Sequence, residues 1–168
     1  MDKQRRIVSD TGPLISLEKL ADGYQFIRVL YDRILVPPAV IEELVQGQFS
    51  SIKVYITHYE IDDLIEVFEV EKNSLPIKVE VLDPGEQEAI RLALLHNLPL
   101  LIEEEAGRKI ARQLGVKISG IAGQILQAFR SDLIDVNEAE QKLEVLHHSG
   151  RINRKIYQGL LEAIRQRT

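Results

Sequence analysis

The chain has 168 residues, 45% of them apolar, and a formal net charge of −5. That length corresponds to about one domain and can bury a core without staples or structural metals. There is no cysteine, which excludes a disulfide framework, a thiolate zinc site and a cysteine nucleophile, and the histidines at 58, 96, 147 and 148 lack metal-ligand spacing.

No apolar run reaches the roughly 18 residues of a membrane span. The start Met1-Asp2-Lys3-Gln4-Arg5-Arg6 leads into too few apolar residues for a signal peptide, so a soluble, cytoplasmic protein with no membrane partner is expected. The negative charge argues against a non-specific nucleic-acid coat, whose affinity comes from neutralising phosphates. The charge is uneven, however. Residues 151–168 hold Arg151, Arg154, Lys155, Arg165 and Arg167 against Glu162, a balance of +4 that leaves the first 150 residues at −9. That tail reads either as a solvated helix face or as a phosphate-facing patch.

In chain order, Arg6-Ile7-Val8-Ser9-Asp10 is an apolar strand ending on a carboxylate, and after Thr11-Gly12-Pro13 the residues Leu14, Ile15, Leu17 and Leu20 recur at helical spacing. A second helix is expected from about Tyr24 to Tyr31. Ile34-Leu35-Val36 is a strand, and Pro37-Pro38 opens a helix carrying Val40, Ile41, Leu44 and Val45 that Gly47 ends. Residues 48–82 are less patterned, with a helix near 50–58 and a half-buried strand in the alternating stretch Leu64 to Val70.

Asp83-Pro84-Gly85-Glu86 starts a helix to about His96, Pro99 to Ile102 is a buried strand, Ala106 to Leu114 a helix closed by Gly115, and Val116-Lys117-Ile118 a short strand. Ser119 is placed to cap the following helix. Two more helical stretches, about Asn137–His147 and Asn153–Arg165, are separated by Ser149-Gly150. Strands alternating with helices imply an α/β fold with a central parallel sheet and helices on both faces. No repeat or linker divides the chain, so a single domain over 1–168 is expected, with its core at about 6–130 and a helical extension at about 131–168.

Ligands of an open parallel sheet bind beyond the carboxyl ends of its strands. Asp10 ends the first strand and Glu103-Glu104 end the strand Leu100-Leu101-Ile102, so these carboxylates converge if the two strands are neighbours. Crowded carboxylates repel unless a cation lies between them, and oxygen donors without His or Cys favour magnesium or manganese over zinc. Glu42 and Glu43 read either as exposed helical acids or as additions to the cluster. Asp83 and Glu86 match a capping box, which accounts for Glu86 without a function. Glu88 shares a helical row with Leu92 and Leu95, which places it over the face expected to meet the sheet. Glu105 fits a first-turn acid complementing the helix dipole.

Four blocks, Ile7-Val8-Ser9-Asp10-Thr11-Gly12-Pro13-Leu14-Ile15, Val36-Pro37-Pro38-Ala39-Val40-Ile41-Glu42-Glu43-Leu44, Leu82-Asp83-Pro84-Gly85-Glu86-Gln87-Glu88-Ala89-Ile90 and Leu101-Ile102-Glu103-Glu104-Glu105-Ala106-Gly107-Arg108-Lys109-Ile110-Ala111, together resemble a PIN domain. More narrowly, they resemble the prokaryotic branch of nucleic-acid-binding PIN proteins related to VapC toxins. The resemblance implies a three-layer α/β/α fold with additional C-terminal helices. It also implies a divalent-metal-dependent ribonuclease using Mg²⁺ or Mn²⁺, with catalytic acids at Asp10, Glu43, Glu88 and Glu103 and metal ligands at Asp10, Glu88, Glu103 and Glu104.

Thr11 and Ser119 match polar positions lining such sites, and Arg108 is a candidate substrate contact. Lys109 and Arg112 also read as solvent-facing helix. The family pattern favours aspartates where this chain has Glu103 and Glu104, and an alternative is a catalytically weak or inactive PIN-fold binding module. A phosphotransfer enzyme with an aspartyl nucleophile at Asp10 would usually carry a second Asp where Gly12 stands. RNA, a small cognate antitoxin and a homodimeric partner are implied through the resemblance alone.

Overall fold

The computed structural model describes residues 3–71 and 81–167, and the part of the weakly patterned segment at 72–80 lies outside them. It separates into two compact units, Met1–Ile15 with Tyr31–Ser119, and Ser16–Leu30 with Gly120–Thr168.

In the first unit, five parallel strands form one sheet in the order β3-β2-β1-β4-β5. They are β1 (Arg6–Ser9), β2 (Arg33–Val36), β3 (Ile65–Val67), β4 (Leu100–Leu101) and β5 (Ile118–Ser119). Val8 pairs with Leu35 on one side and Leu100 on the other, so β1 is central, and continuous apolar runs such as Ile34-Leu35-Val36 are what a strand covered on both faces requires. The strand order reverses at β1. α3 (Pro38–Val45) and α4 (Ile52–Tyr59) connect β2 to β3, while α5 (Pro84–His96) precedes β4 and α6 (Glu105–Gln113) joins β4 to β5. This is the expected three-layer α/β/α arrangement. A core of Val8, Leu35, Ile90, Leu92, Leu100 and Ile102 fills its interior.

Local chemistry sets the helix ends. The Asp83 carboxylate accepts from the Glu86 amide at 2.8 Å, Pro84 occupies a position needing no N–H, and α5 stops at Asn97, whose φ of 50° satisfies a left-handed cap. Ser119 departs from expectation. It lies in β5 opposite Leu101 and its carbonyl accepts the Ile102 amide at 2.9 Å, so Gly120 takes the N-cap place of α7 with no side-chain bond. The ladder claimed the serine before the helix could.

The second unit carries α2 (Gly23–Ile27), α7 (Ile121–Arg130), α8 (Val136–His148) and α9 (Arg154–Arg167), with the unit boundary falling inside α1 (Thr11–Lys19). α2 ends four residues before the expected Tyr31. Its last amides tighten to three-residue turns, Val29 N–H to Phe26 O and Leu30 N–H to Ile27 O, as helix ends often do. On α8, Lys142 is buried, but its Nζ meets Asp22 Oδ1 at 2.7 Å and lies 5.2 Å from the Phe26 ring, so its charge is paired. The basic tail is partly neutralised within this unit, Arg165 by Glu140 at 3.2 Å and Arg167 by Asp132 at 3.3 Å. No helix among the described residues is long and apolar enough to cross a membrane.

Candidate active site

Parallel pairing brings the carboxyl ends of β1 and β4 together. Ser9 is in register with Leu101, and the Asp10 amide donates to the Leu101 carbonyl at 2.9 Å. Asp10 is therefore held at the sheet edge, only 4% exposed, with Oδ1 buried and without a hydrogen-bond partner. Burial raises its pKa to about 7, a rise opposed by the Thr11 backbone N–H and reinforced by the negative charges of Asp83, Glu43 and Glu104.

Those neighbours define the cluster. Glu43 arrives from α3, half-buried, its Oε2 accepting the Thr11 hydroxyl at 3.0 Å; burial raises its pKa, against the pull of Thr11 and the Gly85 amide. Glu86 arrives from the first turn of α5, is 7% exposed, and has a buried Oε2 with no partner. Its pKa is also raised, first by burial, then by its hydrogen bond to Asp83 and the charges of Asp83, Asp10 and Glu104. Two glycines make room. A Cβ on Gly85 would stand 2.5 Å from Glu43 Oε1, and one on Gly107 would stand 2.9 Å from Glu86 Oε2 and 2.6 Å from Ile102 Cδ1.

The acids named from sequence are thus sorted. The charges of Glu43 and Glu104 fall on Asp10, and those of Asp10 and Glu104 on Glu86, whereas Glu88 turns elsewhere, its Oε2 accepting the Ala39 amide at the start of α3 at 3.0 Å. Glu103 is half-buried and its charge falls on Arg108. Thr11 lies in the cluster through its bond to Glu43, and Ser119 ends β5 beside β4. Arg108 is half-buried, pinned by a 2.8 Å bond from one guanidinium nitrogen to the Ile102 carbonyl. Lys109 and Arg112 are exposed, and Arg112 stands 3.8 Å from Glu105.

Sequence reasoning passed over Glu86 and Asp83, because a capping box explained both. A signal was present. Glu86 shares its row with Ala89, Ile90 and Ala93, all fully buried, whereas the Glu88 row ends on Leu95, 49% exposed. Small alanines on the Glu86 row allow the close approach to the sheet that larger side chains prevent.

The donor set is hard carboxylate oxygen throughout, buried and crowded enough to raise the pKa values of Asp10, Glu43 and Glu86, with two orphaned buried oxygens on Asp10 and Glu86. That chemistry fits Mg²⁺ or Mn²⁺. No group of three or more His, Asp or Glu among the described residues is arranged to hold a metal ion, so the carboxylates would have to draw in by rotamer changes around one.

Comparison with known proteins supplies the family. No curated protein matches. Among solved structures, the chain is similar to a PilT N-terminus domain protein from the hyperthermophilic archaeon Sulfolobus solfataricus, at 21% identity and a TM-score of 0.49 over 69% of this chain and 86% of that one. It is also similar to a domain of a functionally unknown protein from Methanocaldococcus jannaschii, at 16% identity and a TM-score of 0.43 over 69% and 90%. A family model described as a PIN domain, DUF3368, matches residues 6–166, nearly the whole chain, and on that match the protein belongs to the PIN-domain family, whose fold is of the nuclease type.

Proposed function

We propose that this protein is a divalent-metal-dependent ribonuclease that hydrolyses RNA phosphodiesters at the carboxyl edge of β1 and β4. The observation that carries the reading is the buried pair Asp10 and Glu86, each with one oxygen lacking any partner, beside Glu43 and Glu104. Asp10, Glu43, Glu86 and Glu104 would hold Mg²⁺ or Mn²⁺, which supplies Lewis-acid charge beside the phosphate. Asp10 and Glu86 would give up the protons that their raised pKa values retain near neutrality, so ion binding and proton release are linked. Thr11 Oγ1 orients Glu43, and Arg108 would meet a phosphate oxygen, with Glu103 beside it and Ser119 at the end of the next strand lining the same edge. Glu88 is left out of this set because its carboxylate is engaged at Ala39.

The test is RNA cleavage with Mn²⁺, using structured and unstructured substrates, beside Asp10→Asn. Cleavage by the wild type and its loss in the variant are expected; equal cleavage by both would sink the proposal. The toxin role, the antitoxin and the homodimer rest on the family resemblance, and a cytoplasmic location rests on the sequence reading alone.

A second reading, a PIN-fold binding module that does not cleave, is favoured by the absence of a preformed chelating group among the described residues and by glutamates at 103 and 104. Mn²⁺ binding without RNA turnover would support it.

A further inference from the structure

α3 begins without a cap of its own. Its N-cap residue is Pro37, which has no side-chain oxygen, and no side-chain bond is made there, so the first amides of the helix need an outside acceptor. Glu88, forty-nine positions away on α5, supplies it, its Oε2 receiving the Ala39 N–H at 3.0 Å. The exchange runs both ways. The second residue of α5 is Gly85, whose amide bonds to the Glu43 carboxylate on α3, and the absent Cβ there is what admits Glu43 Oε1 so close. Each helix thus lends a carboxylate to the positive N-terminus of the other.

Ala39 and Glu43 are four residues apart, one turn along the same face of α3. Fixing the first fixes the direction in which the second reaches, and Glu43 must reach both the Thr11 hydroxyl and Gly85. A fraying first turn would let α3 rotate or slide, and a carboxylate at the end of a flexible side chain would then lose both anchors.

We propose that Glu88 is a positioning residue and not an ion ligand: with Glu43 it forms a reciprocal clasp between α3 and α5 that holds Glu43 at the acidic cluster. This rests on the proposed nuclease reading for what Glu43 does, but the clasp itself does not. The role asks only for a hydrogen-bond acceptor at position 88, whereas ligation of Mg²⁺ or Mn²⁺ asks for a carboxylate.

Glu88→Gln keeps an acceptor oxygen and removes the charge, and Glu88→Ala removes both. Three measurements separate the roles: hydrogen exchange at the Ala39 amide, Mn²⁺ binding by calorimetry, and kcat and KM for RNA cleavage. Glu88→Ala is expected to speed Ala39 exchange about fivefold or more, the loss of one cap, and to weaken Mn²⁺ binding and lower kcat with KM nearly constant. Glu88→Gln is expected to restore all three to within about twofold of wild type, allowing for the weaker neutral acceptor.

If Glu88→Gln loses Mn²⁺ affinity as fully as Asp10→Asn while Ala39 stays protected, Glu88 is a ligand and the proposal falls. It also falls if Ala39 exchange in Glu88→Ala matches wild type. Should Glu88→Ala not fold, the Gln variant still decides between clasp and ligand. Should the wild-type protein neither bind Mn²⁺ nor cleave RNA, the nuclease reading fails by itself, and Ala39 exchange in the two variants still decides the clasp.

Discussion

The Thr11 hydroxyl donates to Glu43 Oε2 at 3.0 Å, tying the residue after the strand-end Asp10 to an acid thirty-two positions later. Thr11 also turns its backbone N–H to Asp10, so one residue at the start of α1 touches two carboxylates with two different donors. It is a junction between β1 and α3, and it holds two carboxyl groups near one another.

Thr11→Val keeps the shape and the backbone N–H but removes the hydroxyl. Glu43, half-buried, then loses one acceptor contact, at a cost of about 1–2 kcal/mol in urea or thermal unfolding. Mn²⁺ affinity should fall more in Thr11→Val than in Thr11→Ser, because serine retains the donor. Equal Mn²⁺ affinity in Thr11→Val and the wild type would remove Thr11 from the site.

The raised pKa of Asp10 makes the stability of the metal-free protein depend on pH. Folded, its carboxyl holds the proton to about 7, against an ordinary value of 3.8, so between these values the folded state binds more protons than the unfolded state. By linkage, stability is fully present below about pH 4 and is lost as pH rises towards 7, on the order of 2–4 kcal/mol for this group. Glu86, shifted in the same direction, adds to the trend. Asp10→Asn removes the ionisation, so it should unfold at a higher temperature than the wild type at pH 7.5 and at nearly the same temperature at pH 4. Excess Mn²⁺ should reverse the wild-type loss at high pH. A melting temperature for the metal-free protein that rises from pH 5 to 7.5 together with an unchanged Asp10→Asn difference would contradict this account.

Two glycines make opposite predictions. A methyl at Gly107 would press on Ile102 Cδ1 at 2.6 Å and Glu86 Oε2 at 2.9 Å, so Gly107→Ala should destabilise by about 1–3 kcal/mol through overpacking and displace Glu86, weakening Mn²⁺ binding. Gly159 lies within α9 with nothing within 4 Å of a Cβ, so Gly159→Ala should stabilise by about 0.5–1 kcal/mol, the ordinary helical preference. Chemical denaturation of both variants under one condition checks the pair, and the same sign in both would refute the packing argument.

Much of the architecture was legible before folding. Ile7-Val8 and Ile34-Leu35-Val36 are apolar throughout because a central parallel strand is covered on both faces, and the capping signals at Asp83 and Pro84 mark the start of α5 as the structure has it. Asp10 stood out because a strand that stops on a carboxylate puts it at the ligand-binding edge in any topology of this class.

Which glutamates turn to that edge was decided only by packing. α5 has apolar residues on two adjacent rows, one through Glu86, Ala89, Ile90 and Ala93 and one through Glu88, Leu92 and Leu95, and a period of 3.6 leaves the rotation of such a helix open by about one row. The fit of the small alanines against the sheet settles it, burying Glu86 and freeing Glu88 to reach Ala39. Adjacent acids at 103 and 104 differ for a related reason. The chain leaves β4 extended, successive side chains of extended backbone point to opposite sides, and the start of α6 then sets Glu104 towards Asp10 and Glu86, and Glu103 towards Arg108. Local pattern determines where a strand or helix runs; only contact with the rest of the fold determines which of two neighbouring side chains it presents.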